Sequence, residues 1–427
     1  MNNDPTVVTL DNNAEKTIFI QVASYRDPEL NNTLLDMLAN ASYPARLRVG
    51  IAWQHSTDDQ WDNLTNYLTD ERFRIIDIDF SKSNGVCWAR NLVQQLYQGE
   101  DYTLQLDSHH RFVPGWDEIL INMLVNLQIA GYPKPLITAY LPSYEPTNDP
   151  TGRQEGFHKL IYERFLPDGV LLFKAVGFDS SESNLRPIMG RFYSAHFAFT
   201  LVLFAIEVQH NPAYYFLGEE ISIAVRAYTH GYDIFHPNVT IAWHEYSRVG
   251  RVKQWDDAPA WATYNDNSYR QNRILFNMEV GVVDEMYGFG TERTLRDYER
   301  YAGVSFRHQT IHSDALAQLE PTNVIKSNQQ WEMSLVMPIK YCIAILHDKL
   351  IESDYDFWYV AFRDENHKEL YRKDADKLEI GELTGASGLW CNIWRELATQ
   401  LRPTEWLVWP HSEAKGWCDL IQGDVAY

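Results

Sequence analysis

Cysteine is scarce in this 427-residue chain. Cys87, Cys342, Cys391 and Cys418 lie far apart with no C-x-x-C, which argues against a zinc ribbon or a dense disulfide framework and points to a reduced, cytoplasmic compartment. Positive charge is also in deficit. The 37 Lys and Arg against 58 Asp and Glu leave a formal charge of −21, and no basic stripe interrupts that balance, so nucleic-acid backbones and anionic membrane surfaces are poor partners. No run of about 18 apolar residues occurs, as an integral membrane segment would need. The start, Met-Asn-Asn-Asp-Pro, has neither the basic end nor the apolar run of a signal peptide. Glycine-rich phosphate motifs are missing as well: no G-x-G-x-x-G follows the first apolar strand, and no G-x-x-x-x-G-K-[ST] occurs at all. A nucleotide, if bound, must be held by something else.

The chain does have the material for a large core, with 45% hydrophobic and 14% aromatic residues, enough for two domains or one domain with an appendage. Residues 1–15 are polar and read as a flexible tail. Apolar runs at 17–23, 47–53, 73–79 and 102–107 alternate with helical spacing after Pro28 and after Gly85, which predicts a parallel, right-handed βαβ sheet. Asp27 is placed to cap the first helix with Pro28 at its first position. Residues 136–140 predict another strand, and the Pro-, Gly- and Ser-punctuated stretch to about 186 predicts long loops with short strands. After a charged, helical connector, short β-type runs at 331–337, 341–346, 356–362 and 405–410 predict a small β-rich domain. That part holds seven of the 14 tryptophans, suited either to a compact core or to stacking on sugar rings.

The chain's chemistry gathers around Tyr102-Thr-Leu-Gln-Leu-Asp107-Ser-His109-His-Arg-Phe112. A buried strand ending in this way delivers Asp107 and His109, two residues apart, to one side at the carboxyl edge of a sheet, where open α/β folds bind ligands. A carboxylate and an imidazole together suit Mn²⁺ or a similar ion bridging a diphosphate. The plainer reading is a strand end whose polar residues cap the next turn. Glu219 and Glu220 open a predicted helix, where acids are favourable through the helix dipole alone. His244 ends a later strand, where an ordinary core or surface histidine is the default.

Seven ordered blocks together resemble the GlcNAc-transferase family: Ile20-Gln-Val-Ala-Ser24-Tyr25-Arg26-Asp, Val49-Gly-Ile-Ala-Trp-Gln54, Gly85-Val-Cys-Trp-Ala-Arg90, Leu104-Gln-Leu-Asp107-Ser-His109-His-Arg-Phe, Gly115-Trp-Asp117, Phe216-Leu-Gly-Glu219-Glu220-Ile and His244-Glu-Tyr246-Ser-Arg248. That family includes the cytoplasmic enzymes that attach GlcNAc to a hydroxyproline of a ubiquitin-ligase subunit (Skp1-type). More remotely, the chain is similar to the polypeptide GalNAc-transferases, which share an Asp-x-His motif completed by a distant His. The resemblance covers about residues 16–285. It implies a GT-A-type, Rossmann-like nucleotide-sugar domain, UDP-GlcNAc as donor, Mn²⁺ or Mg²⁺, and retention of anomeric configuration. Asp107, His109 and His244 would then hold the metal, and Ser24, Tyr25 and Arg26 would line the uridine side. Arg90 would reach the diphosphate or donor sugar, and Glu219 and Glu220 would face the donor sugar or the acceptor hydroxyl. Arg26 and Arg90 could instead pair with surface acids, and Trp116 could pack in the core as readily as it could form a sugar platform.

The resulting expectation is an α/β enzyme with a tail at 1–15, a GT-A glycosyltransferase domain at 16–287, a connector at 288–328 and a β-rich accessory domain at 329–427. It would be a metal-dependent retaining transferase acting on a hydroxyl of a protein or glycan acceptor. The competing expectation is a carbohydrate- or nucleotide-sugar-binding protein of the same fold without turnover.

Overall fold

Strands buried on both faces need covering helices, and the apolar runs near the N-terminus obtain them in a sheet of mixed direction. A computed structural model describes residues 16–178, 186–247, 249–322 and 327–426. The expected tail at 1–15 and the motif residue Arg248 lie outside the described residues. The chain divides into two compact units, one built on residues up to Ala302 with the short stretch beginning at Gln318, the other on Gly303–Ala317 with the C-terminal chain.

In the first unit, β1 (Ile18–Tyr25), α1 (Leu30–Asn40), β2 (Leu47–His55), β3 (Phe73–Asp79), α2 (Val86–Gln94), β4 (Tyr102–Asp107), β5 (His110–Phe112) and α3 (Trp116–Ile129) follow in order. They are followed by β6 (Pro135–Thr138), a hairpin of β7 (His158–Phe165) and β8 (Leu171–Gly177), β9 (Ile188–Met189), β10 (Phe197–Leu201), α4 (Phe204–Glu207), α5 (Glu219–Thr229), β11 (Asp233–His236) and β12 (Ala242–His244). The large sheet has the order β3-β2-β1-β4-β10-β6-β11-β9. Parallel pairing joins β3, β2, β1 and β4, and also β6 with β11.

The parallel βαβ pairing expected of the first four apolar runs is present, and two later strands run against it. β10 runs antiparallel to both its neighbours, and β9 runs antiparallel to β11. A parallel neighbour requires a long crossover, normally a helix, and among the described residues no α-helix lies between β6 and its sheet neighbour β10. The architecture is therefore mixed α/β around a large, mainly parallel sheet.

Asp27 does not cap α1 directly. The helix begins at Leu30 with Glu29 in the cap position, and Asp27 Oδ1 accepts the Glu29 backbone N–H at 2.9 Å, a turn just ahead of the helix that leaves its second oxygen for other use. Trp116 belongs to the core: it is fully buried and its indole N–H donates to the Met37 carbonyl at 3.0 Å. Asp117 beside it accepts from the backbone N–H groups of Ser42 and Tyr43 and from Arg46, the last at 2.8 Å.

The second unit is β-rich. A 12-residue strand, Leu335–Leu346, pairs antiparallel with Trp390–Thr399, and Tyr355–Arg363 pairs with Glu405–Ser412 in another sheet. The β run expected at 331–337 begins instead as a helix, Asn328–Met333, because Ser327 and Gln330 form a capping box. The runs expected at 331–337 and 341–346 thus share one strand. Trp331 and Trp358 are buried, whereas Trp390, Trp394, Trp409 and Trp417 are exposed.

Candidate metal centre

The two parallel strands at the middle of the large sheet, β1 and β4, pair in register up to Ala23 and Asp107, so both chains turn at the same carboxyl edge. Beyond β4 the chain forms β5, which pairs antiparallel with β12 and sets His110 opposite His244. The His244 backbone is clamped from the other side too: its N–H donates to the Pro142 carbonyl at 3.0 Å, and its carbonyl accepts from Tyr144 at 3.2 Å. An imidazole from the far end of the first unit is thereby held over the end of β4.

Asp107, His109 and His244 come together. One ligand atom from each lies within 4.8 Å of the others. Asp107 Oδ2 is 3.5 Å from His244 Nε2 and 3.8 Å from His109 Nε2. The His244 ring is buried, and among the described residues neither of its nitrogens has a hydrogen-bond partner. An unpaired imidazole buried beside a carboxylate is costly in an apoprotein and natural for a metal ligand, so the donor set fits a divalent cation. Burial lowers the His244 ring well below the usual histidine range, and the nearby His196 acts in the same direction. Burial by itself would raise the Asp107 carboxyl, but His244, Arg90 and His109 outweigh it and hold Asp107 ionised.

Arg90 connects this trio to the interior. Its Nη2 donates to Asp107 Oδ1 at 2.7 Å and its Nη1 to Glu219 Oε1 at 2.5 Å. Two glycines allow the approach. Gly85 starts α2 at φ 101°, where a Cβ would lie 2.7 Å from the Tyr215 ring, and Gly218 precedes α5 at φ 91°, where a Cβ would lie 2.8 Å from Asn272. Both positions require a left-handed backbone and close packing.

The two glutamates diverge. Glu219 is buried, with the Cys87 thiol donating to Oε2 at 2.5 Å and His210 Nδ1 3.6 Å from the same oxygen. Burial would raise its carboxyl, but Arg90 and His210 outweigh it and lower it to about 2. Cys87, His210 and Glu219 also place donor atoms within 4.8 Å, although there the thiol and Arg90 already satisfy the carboxylate. Glu220 points elsewhere: its Oε2 accepts from the Tyr140 hydroxyl at 2.6 Å and its Oε1 from the Ala195 N–H at 2.8 Å. Burial, with the Glu219 charge adding to it, raises Glu220 to about 7.

The residues at the end of β1 have separate partners. Ser24 Oγ is buried and has no hydrogen-bond partner among the described residues. The Tyr25 hydroxyl donates to Asp257 at 2.7 Å. Arg26, at φ 45°, donates to Asp59 at 2.7 Å and to Asp257 at 2.9 Å and stacks over Phe80. Arg26 is thus engaged by two acids.

Three contributors carry no local signal of their own. His196 stacks on His244 with ring centres 4.1 Å apart, and its Nε2 accepts the Leu141 N–H at 3.2 Å; burial lowers it to about 3. Asp27 Oδ2 lies 2.7 Å from His109 Nδ1, and Arg251 reaches the same pair from beyond β12. Asp27 stands inside a recognised block, yet its partners lie far away in sequence. Arg251 sits in a polar loop with nothing around it to single it out.

A family model described as "Glycosyltransferase (GlcNAc)" matches residues 17–68 and 61–308. The chain belongs to this glycosyltransferase family. No curated protein matches it. Among solved structures, a crystal structure of GalNAc-T7 with UDP, GalNAc and Mn²⁺ is similar at 12% identity and a TM-score of 0.47, over 68% of this chain and 56% of that one. The chain therefore spans little more than half of that neighbour. S. aureus TarS is similar at 11% identity and a TM-score of 0.37, over 96% of this chain and 77% of that one. TarS 1-349 in complex with UDP-GlcNAc is similar at 12% identity and a TM-score of 0.34, over 62% and 76%. Among the described residues of this family member, no helix is long and apolar enough to cross a membrane.

Proposed function

We propose that the chain is a cytoplasmic, metal-dependent, retaining hexosyltransferase that moves GlcNAc from UDP-GlcNAc to a hydroxyl of a protein or glycan acceptor. The catalytic domain would span 16–287, with 329–427 as an accessory domain. The observation that carries this is the convergence of Asp107, His109 and His244 within 4.8 Å, in a chain of the GlcNAc glycosyltransferase family.

A Mn²⁺ or Mg²⁺ held by these three residues would neutralise negative charge developing on the departing diphosphate. Asp107 supplies the anionic ligand and the imidazoles of His109 and His244 the neutral ones. Arg90 has both terminal nitrogens committed to Asp107 and Glu219, so its contribution is a fixed positive charge behind the metal carboxylate rather than a free clamp on phosphate. Ser24, Tyr25 and Arg26 lie at the end of β1, on the side proposed for uridine.

The glutamates bear on stereochemistry. Glu219 is ion-paired to Arg90, and both oxygens of Glu220 are held, one by the Tyr140 hydroxyl and the other by the Ala195 N–H. Neither carboxylate is free to attack, which favours attack from the face of departure over double displacement. The anomeric bond to UDP breaks as the acceptor oxygen bonds to the same carbon, and the acceptor proton passes to a diphosphate oxygen. The test is UDP release from UDP-GlcNAc and other UDP-sugars, measured with Mn²⁺, with Mg²⁺ and with EDTA. Metal-dependent release with a preference for UDP-GlcNAc is expected. Donor binding without turnover for every sugar would overturn the proposal in favour of a binding protein.

A further inference from the structure

His109 Nδ1 faces two groups of opposite hydrogen-bonding character. Asp27 Oδ2 lies 2.7 Å away, and the Arg251 Nη1 nitrogen makes a closer contact still. The carboxylate calls for a proton on Nδ1, the guanidinium for a lone pair. Only the first arrangement leaves a lone pair on Nε2, the nitrogen that faces Asp107, as a metal ligand requires.

The surroundings favour Asp27. Its carboxylate is buried and anchored at both oxygens: Oδ1 accepts from the Glu29 N–H at 2.9 Å and Oδ2 from the Ser108 hydroxyl at 2.7 Å. Arg251 has acceptors of its own, Asp27 Oδ2 at 3.2 Å and Glu245 Oε2 at 2.7 Å, so it does not need the imidazole lone pair. Its charge offsets that of the buried carboxylate.

We infer that Asp27 is a positioning residue of the metal centre: it holds the proton on His109 Nδ1 and so presents Nε2 to the cation, with Arg251 as its counter-ion. This rests on the metal-dependent reading above. Asp27→Asn separates the roles of the two carboxylate oxygens. The Glu29 N–H still needs an acceptor, so the amide oxygen stays on that side and the NH₂ group is turned to His109. That group donates to Nδ1, moves the ring proton to Nε2 and blocks the ligand position.

The experiment uses the full chain without donor. Mn²⁺ affinity is measured by electron paramagnetic resonance, and the His109 tautomer by ¹⁵N NMR of the metal-free protein at a pH where the ring is neutral. The expected result is an Nδ1–H tautomer in the unmodified protein and in Arg251→Gln, with an Nε2–H tautomer and about 10–100-fold weaker Mn²⁺ binding in Asp27→Asn. Asp27→Asn that keeps the Nδ1–H tautomer and binds Mn²⁺ as tightly as the unmodified protein overturns the inference. So does an Nε2–H tautomer in the unmodified protein, which needs no variant to fold. If the unmodified protein has the Nδ1–H tautomer but binds no Mn²⁺, the metal reading fails, and the inferred role falls with it for that separate reason.

Discussion

Arg90 stands between Glu219 and Asp107, its Nη1 2.5 Å from one carboxylate and its Nη2 2.7 Å from the other. One buried guanidinium thus joins the start of α5 to the end of β4. Two ionised carboxylates from separate stretches of chain share this one positive charge at the edge of the sheet, which leaves a net negative charge there, and perturbing any of the three is felt at the proposed metal centre.

Asp107→Ala removes the anionic ligand and leaves His109 and His244 as the only donors. Metal-dependent UDP release is expected to fall by at least about 100-fold, with the fold retained by circular dichroism. Undiminished release by a folded Asp107→Ala protein would remove Asp107 from the metal set.

Glu219→Gln removes one of the two carboxylates paired with the Arg90 guanidinium and leaves Asp107 as the other. A buried charge that loses its sole partner costs about 3–5 kcal/mol, so with Asp107 still in place urea denaturation should show a destabilisation below that range. The linkage has a definite sign. The Glu219 carboxyl is lowered to about 2 from an ordinary 4.5, so its stabilisation is present above about pH 4.5 and is lost as pH falls towards 2. A variant as stable as the parent at pH 7 would show that the pair contributes nothing net.

Glu220 has the opposite sign. With its carboxyl raised to about 7 in the folded protein from an ordinary 4.5, the native state binds the proton more tightly than the unfolded chain between those values. Stability from this group therefore declines as pH rises from 4.5 through 7. Glu220→Gln should flatten that decline in thermal melts recorded from pH 5 to 8. Parallel melting profiles for the two proteins would count against a raised Glu220.

Trp116→Leu tests packing against sugar binding. The ring is fully buried and hydrogen-bonded to the Met37 carbonyl, so the substitution should cost about 2–4 kcal/mol of stability and leave the KM for UDP-GlcNAc unchanged. A raised donor KM with stability intact would return Trp116 to the sugar site.

Much of the sheet was readable beforehand, since β1 to β4 coincide with apolar runs bounded by turn residues. The reversal of β10 was not, because strand direction depends on the path taken to the strand and not on its residues. The helix at Asn328–Met333 was hidden because its last residues run almost directly into the strand Leu335–Leu346, while the Ser327 that opens its capping box lies in the polar stretch before it. At the site, Asp107 and His109 announce themselves by their spacing, and His244 became a candidate through an ordered set of blocks. The division of labour between Glu219 and Glu220 could not be read: neighbouring residues at a helix start point about 100° apart, so one meets Arg90 and the other Tyr140.

Residue order alone determined the strand–helix alternation, the Asp-x-His strand end and the acidic, cysteine-poor character of the chain, because hydrophobic periodicity and turn chemistry act over a few neighbouring residues. Only the tertiary structure decided which distant side chains meet at the proposed metal centre. Asp27 and His109 are 82 residues apart, and Arg251 is a further 142 beyond His109. Hydrogen bonds of about 3 Å between such distant positions arise only after β1, β4 and the chain beyond β12 have been brought to the same edge.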